Sequence, residues 1–217
     1  MSLQYTHLLI PALVDFAPHP EQVTAFFKGL ADLGSEPLEP AFRVGKLSGK
    51  FRTGSHPLTG EKLSIPIREF ATVDSPTEMP KQLAGLDDYD VVASGQGPPE
   101  LLPFVLYTAT DLKKSEFKGT YGYEVLCRLR KDVISMCEPS FGDPCPAEEG
   151  NGKFRHPTNG TTIEVPNAAS ARFWIEFQFG KWLFPEIGTS LNVIDPLILT
   201  SAIDSFGTTF AQGCRFE

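Results

Sequence analysis

The sequence contains no apolar run of the about 20 residues that a membrane-spanning helix requires. Its most apolar stretch near the start, from Leu8 to Val14, follows no basic region and is interrupted by Pro11. Such a stretch is typical of a buried strand rather than of a secretory signal. We therefore expect a soluble, cytoplasmic protein with no membrane partner.

Cysteine is scarce as well, with four residues in a chain of 217. Their spacing gives neither a CxxC pair nor a zinc-ligand pattern. The four are Cys127, Cys137, Cys145 and Cys214. This usage favours reduced, mostly buried thiols, with a disulfide between two of them as the alternative. We expect no metal and no cofactor.

The familiar catalytic signatures are absent. The histidines show no HxH or HExxH spacing, and the chain has no nucleophile elbow, P-loop or dinucleotide fingerprint. The acidic cluster Asp87, Asp88 and Asp90 is typical of a solvated loop rather than of an acid–base pair in a cleft. These patterns leave open whether the protein is an enzyme.

The charge balance is acidic, with a net charge of −8 at pH 7. An acidic surface repels the phosphate backbone of nucleic acids and the headgroups of anionic membranes. We therefore predict that nucleic acid is not a partner of this protein.

What the sequence does contain is an internal repeat at a spacing of ~100 residues. The segment Gly49-Lys50-Phe51-Arg52 recurs at 152–155, and the His-Pro pair at 56–57 recurs at 156–157, after a three-residue insertion in the first copy. Gly60 also matches Gly160. Each copy predicts a β-hairpin, in which this glycine supplies the positive φ of the turn. We infer a duplicated unit.

The first copy has a further similarity, which spans residues 52–66. Its Arg-Thr-Gly, Thr-Gly-Glu and Ile-Pro segments, at 52–54, 59–61 and 65–66, resemble the arm motif of the histone-like bacterial DNA-binding proteins. In that family the segment is a β-arm that enters the minor groove, whereas we interpret the resemblance here as shared turn chemistry. The helical dimerisation region of that family has no counterpart here, and the charge of the chain is of the opposite sign.

The periodicities predict an α+β fold with a largely antiparallel sheet and few helices. Pro20 to Leu33 has helical spacing, and Asp195-Pro196 begins a second helix that ends at Gly207. Tyr123 to Arg130 and Arg172 to Phe179 alternate as half-buried strands. We expect two similar halves, 1–110 and 111–217, packed as one compact unit, with 74–88 as a loop.

Two groups of residues are candidate sites. The first is the set of basic residues that the two hairpins share, which could together hold a carboxylate or phosphate if the hairpins meet. It comprises Arg52, His56, Arg155 and His156. The second lies on the polar side of the last Phe-rich strand, where Trp174 is flanked by Arg172 and Glu176, an arrangement typical of a recognition surface. A layer that covers Trp174 is the alternative.

Two functions follow from these sites. The first is a non-enzymatic binding or interaction protein with a protein or small-ligand partner. The alternative is an enzyme or ligand-binding protein that acts on a small anionic molecule held by the duplicated hairpins. The sequence does not decide the ligand or the oligomeric state.

Overall fold

A computed structural model gives the architecture of the chain. It describes residues 5–33, 36–55, 60, 62–97, 106–107, 121–135, 153–155, 162–164, 170–179, 188–189 and 195–216. In chain order the elements are β1 (Tyr5–Pro11), α1 (Pro20–Asp32), β2 (Glu36–Ser55), β3 (Lys62–Val73), α2 (Met79–Leu83), β4 (Tyr89–Gly97), β5 (Leu106–Tyr107), β6 (Tyr121–Ser135), β7 (Lys153–Arg155), β8 (Thr162–Glu164), β9 (Ser170–Phe179), β10 (Gly188–Thr189), α3 (Pro196–Phe206) and β11 (Phe210–Phe216).

Seven strands form one antiparallel sheet in the order β11-β1-β9-β6-β4-β2-β3. Four of these strands lie in the order β11-β1-β9-β6. Together with α1 and α3 they form the ferredoxin-like split βαβ arrangement. The segment from β2 to β4 is inserted between α1 and β6, and it extends the sheet on the side of β6. The predicted α+β class is confirmed, and strands from both predicted halves contribute to the same sheet.

Both helices begin and end where the sequence predicts. Pro20 occupies the first turn of α1, and the Gln22 side chain accepts a hydrogen bond of 2.8 Å from the His19 backbone N–H. In α3 the Asp195 carboxylate accepts one of 2.9 Å from the backbone N–H of Leu197. These contacts satisfy N–H groups that the first turn of a helix leaves without a partner.

The two helices cover one face of the sheet, which we call the helix face. Aromatic rings make most of the contact: Phe26 of α1 lies 6.2 Å from Phe177, and Phe206 of α3 lies 5.2 Å from Phe173, between ring centroids. Phe173, Ile175 and Phe177 alternate along β9 with the residues of the other face, but the prediction of a half-buried strand is wrong, because Trp174 and Glu176 on that face are also buried. Burial of these large rings supplies the main hydrophobic stabilisation of the fold.

The prediction of a loop over 74–88 is wrong for part of that segment. Met79–Leu83 forms the short helix α2, and a 3-10 turn at Pro76–Glu78 precedes it. Met79 and Leu83, four residues apart, lie on one side of the helix and are 0% and 1% exposed. The helix was not predicted, because two apolar positions among prolines and acidic residues give too short a pattern to recognise.

Both copies of the repeat form hairpins. In the first, Ser55 pairs with Lys62 and Gly60 has φ 70°; in the second, Arg155 pairs with Thr162. Six residues therefore connect the strands in each copy, 56–61 and 156–161. The first hairpin is the edge of the main sheet, whereas β7 and β8 make a two-stranded sheet of their own. Duplication of the complete halves remains a hypothesis.

Tyr89 generates a testable prediction, because its hydroxyl is buried on the helix face and has no hydrogen-bond partner among the described residues. An orphaned buried hydroxyl costs about 1–3 kcal/mol. We expect Tyr89→Phe to raise the free energy of unfolding by an amount of that order, measured by urea denaturation. A Phe variant that is less stable than the wild type would show that the hydroxyl has a favourable contact.

The same residue sets a pH dependence. Burial raises the pKa of Tyr89 above its ordinary value of 10.0, and burial also raises the pKa of the Cys127 thiol above 9.0. Above these values the unfolded chain loses protons that the native state keeps, so stability falls as the pH rises. Denaturation curves from pH 7 to about 11 should show a shallower loss for Tyr89→Phe than for the wild type.

Candidate functional site

The face of the sheet opposite the helices, here called the polar face, carries a group of ion pairs that we call the ion network. It consists of Arg68, Asp88, Asp90, Arg128, Arg130 and Glu176. Three guanidinium groups face three carboxylates, so the formal charges cancel. The side chains come from β3, β4, β6, β9 and the turn before β4, so the network extends from β9 to the edge strand β3.

Asp90 is the centre of the ion network and is only 3% exposed. Its Oδ1 accepts a hydrogen bond of 2.7 Å from Arg130 Nη1, and its Oδ2 lies 3.1 Å from Arg68 Nε. Asp88 adds a contact of 2.6 Å to Arg68 Nη2. The prediction that this acidic cluster is a solvated loop is therefore wrong for both aspartates, since Asp88 is also largely buried.

On the other side of Asp90, the network continues to Trp174. Arg128 Nε lies 2.9 Å from Glu176 Oε1, but its N–H does not point at that oxygen, so the contact is an ion pair rather than a hydrogen bond. The same oxygen accepts a hydrogen bond of 2.7 Å from Trp174 Nε1. Arg130 lies over the Trp174 ring at 5.2 Å, a cation–π contact.

The recognition surface predicted around Trp174 belongs to this network. Trp174 is 5% exposed and Glu176 is 1% exposed, while Arg172 Nε donates a hydrogen bond of 2.7 Å to the Arg130 carbonyl oxygen. Burial lowers the pKa of Arg130, and the Asp90 carboxylate opposes that shift. A role of these three residues in binding a partner stays a prediction, while their contacts within the fold give them a structural role.

The second feature of the site is the β2–β3 hairpin, which extends beyond the beginning of β4. The last pair between β2 and β4 is Gly45 with Asp90, whereas β2 and β3 stay paired as far as Ser55 and Lys62. We call the projecting part, residues 46–55 and 62–69, the arm. Ten residues of extended strand span about 30 Å.

Large apolar side chains lie in a row on the polar face of this hairpin. Phe70 lies opposite Gly45 at the base of the arm, Leu47 opposite Arg68, and Phe51 opposite Pro66, so all three point to the same side. They are 50%, 44% and 64% exposed. We call this row the apolar ridge. Three of the six exposed large apolar side chains in the described residues lie in it.

Gly45 leaves room for the Phe70 ring. A Cβ atom at residue 45 would lie 2.6 Å from Cε1 of Phe70, closer than non-bonded carbon atoms approach, so the ring would have to move. The Phe70 ring lies against the backbone of β2, with the Arg43 guanidinium 6.0 Å from its centroid. Glycine therefore permits this close approach of the ring to the backbone.

The opposite side of the arm is basic. This side carries Lys46, Lys50 and Arg52. Lys50 Nζ lies 2.8 Å from Glu69 Oε1, and Lys46 Nζ lies 3.4 Å from Gln82 Oε1. Over residues 46–69 the sequence has five Lys or Arg and two Glu, a net charge of +3, and one of the five, Arg68, is paired within the ion network. The rest of the chain has a net charge of −11, so the arm differs in sign from the body.

Arg68 connects the arm to the ion network. It lies in β3, and its guanidinium crosses β2 to reach Asp88 and Asp90 near the start of β4. Beyond Gly45, β2 is paired with β3 but no longer with β4. The contact of Arg68 with the two aspartates therefore fixes the direction in which the arm leaves the sheet. The network therefore positions the apolar ridge.

The predicted anion site is described only in part. Arg52 lies on the arm with an exposed side chain, and Arg155 lies in β7, where it pairs with Thr162. His56 and His156, together with the side chain of Arg155, lie outside the described residues. A shared site of the two hairpins therefore stays a prediction. In the part of the chain that the structure describes, no group of His, Cys, Asp and Glu could hold a metal ion.

No protein-family model, curated protein or solved structure matches this chain. None of the described helices is long and apolar enough to cross a membrane.

The sequence interpretation did not identify the apolar ridge. Leu47, Phe51 and Phe70 are separated along the chain by a bulge and by basic residues, so no local pattern marks them as one surface.

The ion network generates a prediction about stability. Asp90→Asn removes one charge and leaves Arg68 and Arg130 buried without a full counter-charge, which typically costs about 3–5 kcal/mol. We expect a loss of this order in the free energy of unfolding, measured by urea denaturation. The control is Glu124→Gln, because the Arg43–Glu124 pair at 3.1 Å is over one third exposed and should contribute only about 0–1 kcal/mol. Similar small losses in both variants would contradict a structural role for the network.

Proposed function

We propose that the protein is a non-enzymatic binding protein and that the arm, with its apolar ridge, is its contact surface for another protein. The observation that carries this proposal is the row of Phe70, Leu47 and Phe51, at 44–64% exposure, on a hairpin that projects beyond the sheet. Contiguous exposed apolar side chains rimmed by polar groups mark interaction sites. Aromatic residues are also enriched in the centres of protein interfaces.

The shape of the arm favours a macromolecular partner over a small ligand. Small molecules bind in concave sites that enclose most of their surface. A projecting ribbon is convex, so it can be enclosed only by a groove or an edge that a partner supplies. The area of three side chains is far below that of a standard interface of about 800 Å² per partner, so a partner must also contact residues around the ridge.

The ion network supports the proposal because it preorganises the arm. A contact surface that is held in one orientation loses less conformational entropy on binding than a mobile one. Arg68 anchors the base of the arm to two largely buried carboxylates, which is a stronger attachment than an exposed ion pair provides.

The test uses a double variant of the ridge, Leu47→Ser with Phe51→Ser, and a control with the same chemistry elsewhere, Leu13→Ser with Leu197→Ser. The control residues are 60% and 51% exposed and lie outside the arm. Proteins retained from a lysate of the source organism by the wild type would be identified by mass spectrometry and purified. We expect a purified partner to bind the wild type and the control equally, and the ridge variant about tenfold or more weakly.

Two results would contradict the proposal. One is a purified partner that binds the ridge variant as tightly as the wild type. The other is the absence of any partner that the wild type retains and the ridge variant does not. Thermal denaturation of each variant establishes beforehand that the fold is intact.

A further inference from the structure

The β2–β3 ladder of the arm is interrupted by a bulge, residues 48–50 of β2. On one side of the bulge Leu47 lies opposite Arg68, and on the other side Phe51 lies opposite Pro66. Three residues of β2 therefore face a single residue of β3. The outer part of the arm is thus paired two residues out of step with its base.

The alternation of side chains does not select this register for the outer arm, as we call residues 51–55 and 62–66. Side chains alternate with a period of two, so a slip by two residues would return Phe51 to the same side of the hairpin. The Ile67 carbonyl oxygen faces β2, so Pro66 faces away from β2 in either register and its missing N–H favours neither. A ladder without the bulge would form six pairs as far as residue 62, where the observed ladder forms five.

The two registers differ in the spacing of the apolar ridge. In the observed register, Leu47 and Phe51 lie opposite residues of β3 that are two positions apart, which is about 7 Å along a strand. Without the bulge they would be four positions apart, about 13 Å, with Gly49 between them. Glycine has no side chain, so the ridge would be divided at that point. The bulge therefore makes the apolar side chains contiguous.

The Ser48 side chain closes the bulge with two hydrogen bonds. Its hydroxyl donates one of 2.9 Å to the Ile67 carbonyl oxygen and accepts one of 3.2 Å from the Lys50 backbone N–H. Gly49, between the two, has φ 74°, a left-handed conformation that glycine adopts without steric cost. The nearby ion pair of Lys50 with Glu69 is exposed at both ends and contributes little. The hydroxyl and the glycine therefore favour the bulged register.

We propose that Ser48 is the positioning residue of the contact surface, because its hydroxyl holds the outer arm in the register that makes the apolar ridge contiguous. Loss of the hydroxyl allows the outer arm to slip by two residues, which separates Phe51 from Leu47. The role of this register in binding rests on the proposed function, whereas the register itself can be measured without a partner.

Two pairs of introduced cysteines report the register, because a disulfide requires Cα atoms within about 7 Å of each other. Thr53 lies opposite Ser64 in the observed register and would lie opposite Lys62 in the slipped one. At pairs of this kind, opposite Cα atoms are about 4.5 Å apart and diagonal ones about 7–8 Å. Thr53→Cys with Ser64→Cys therefore reports the observed register, and Thr53→Cys with Lys62→Cys reports the slipped register.

Each pair is equilibrated with glutathione, and the disulfide between the two introduced cysteines is quantified by peptide mass spectrometry. We expect Ser48→Ala to raise the oxidation equilibrium constant of the slipped-register pair about tenfold, since two hydrogen bonds are lost. Ser48→Thr keeps the hydroxyl and should leave the constant unchanged. So should Ser55→Ala, which removes an exposed hydroxyl outside the bulge. A constant that Ser48→Ala leaves unchanged would overturn the proposal.

The two oxidised chains then test whether the contiguous ridge matters for binding. With the partner purified on the wild type, we expect the chain locked in the observed register to bind as tightly as the wild type. The chain locked in the slipped register should bind about tenfold or more weakly. Equal affinities of the two locked chains would overturn the positioning role of Ser48. If the wild type retains no partner, the proposed function fails instead, and the disulfide equilibria still decide the register.

Discussion

The ion network around Asp90 is the interaction on which the position of the arm depends. A carboxylate that is 3% exposed has lost nearly all its hydration, and that loss is tolerable only when cations and hydrogen-bond donors replace the water. Arg130 and Arg68 provide this replacement from two strands that are not neighbours of each other. Once these groups are paired, β3, β4 and β6 cannot shift relative to one another without exposing or orphaning a charge.

The two faces of the sheet are thus stabilised by different physics. On the helix face, rings from β9 pack against rings from α1 and α3, and the gain is the burial of apolar surface. On the polar face, oppositely charged side chains fix the relative positions of the strands. They contribute more to this positioning than to the net stability of the fold. The hairpin extends beyond both layers, so none of the described helices or neighbouring strands covers Phe51 and Leu47. The apolar ridge is the consequence of this overhang.

Some of the fold could be predicted from local patterns. Pro20 and the apolar spacing after it predicted α1, Asp195-Pro196 predicted α3, and the alternation from Arg172 predicted β9, because each pattern is decided within one turn or one strand. The hairpin turns were predicted for the same reason, and Gly60 has the positive φ that was expected. The helix α2 was missed because its pattern consists of two residues, Met79 and Leu83.

The candidate site could not be predicted to the same extent. Asp90 was expected in solvent because an acidic cluster is normally hydrated, and only the register between β4 and β6 shows that Arg128 lies directly opposite it. No local pattern indicated that Phe51 is exposed, since phenylalanine is usually buried. Its exposure follows from the beginning of β4 at the level of Gly45, which is a property of a strand distant in the chain.

The sequence by itself determined the elements, the alternation of their faces and the local chemistry of the two hairpins, because these depend on residues within a few positions of one another. The tertiary structure decided which charges meet, which apolar side chains stay exposed and which strand forms the edge. Those properties depend on register and strand order, and they arise from contacts such as Arg68 with Asp90 that no local pattern encodes.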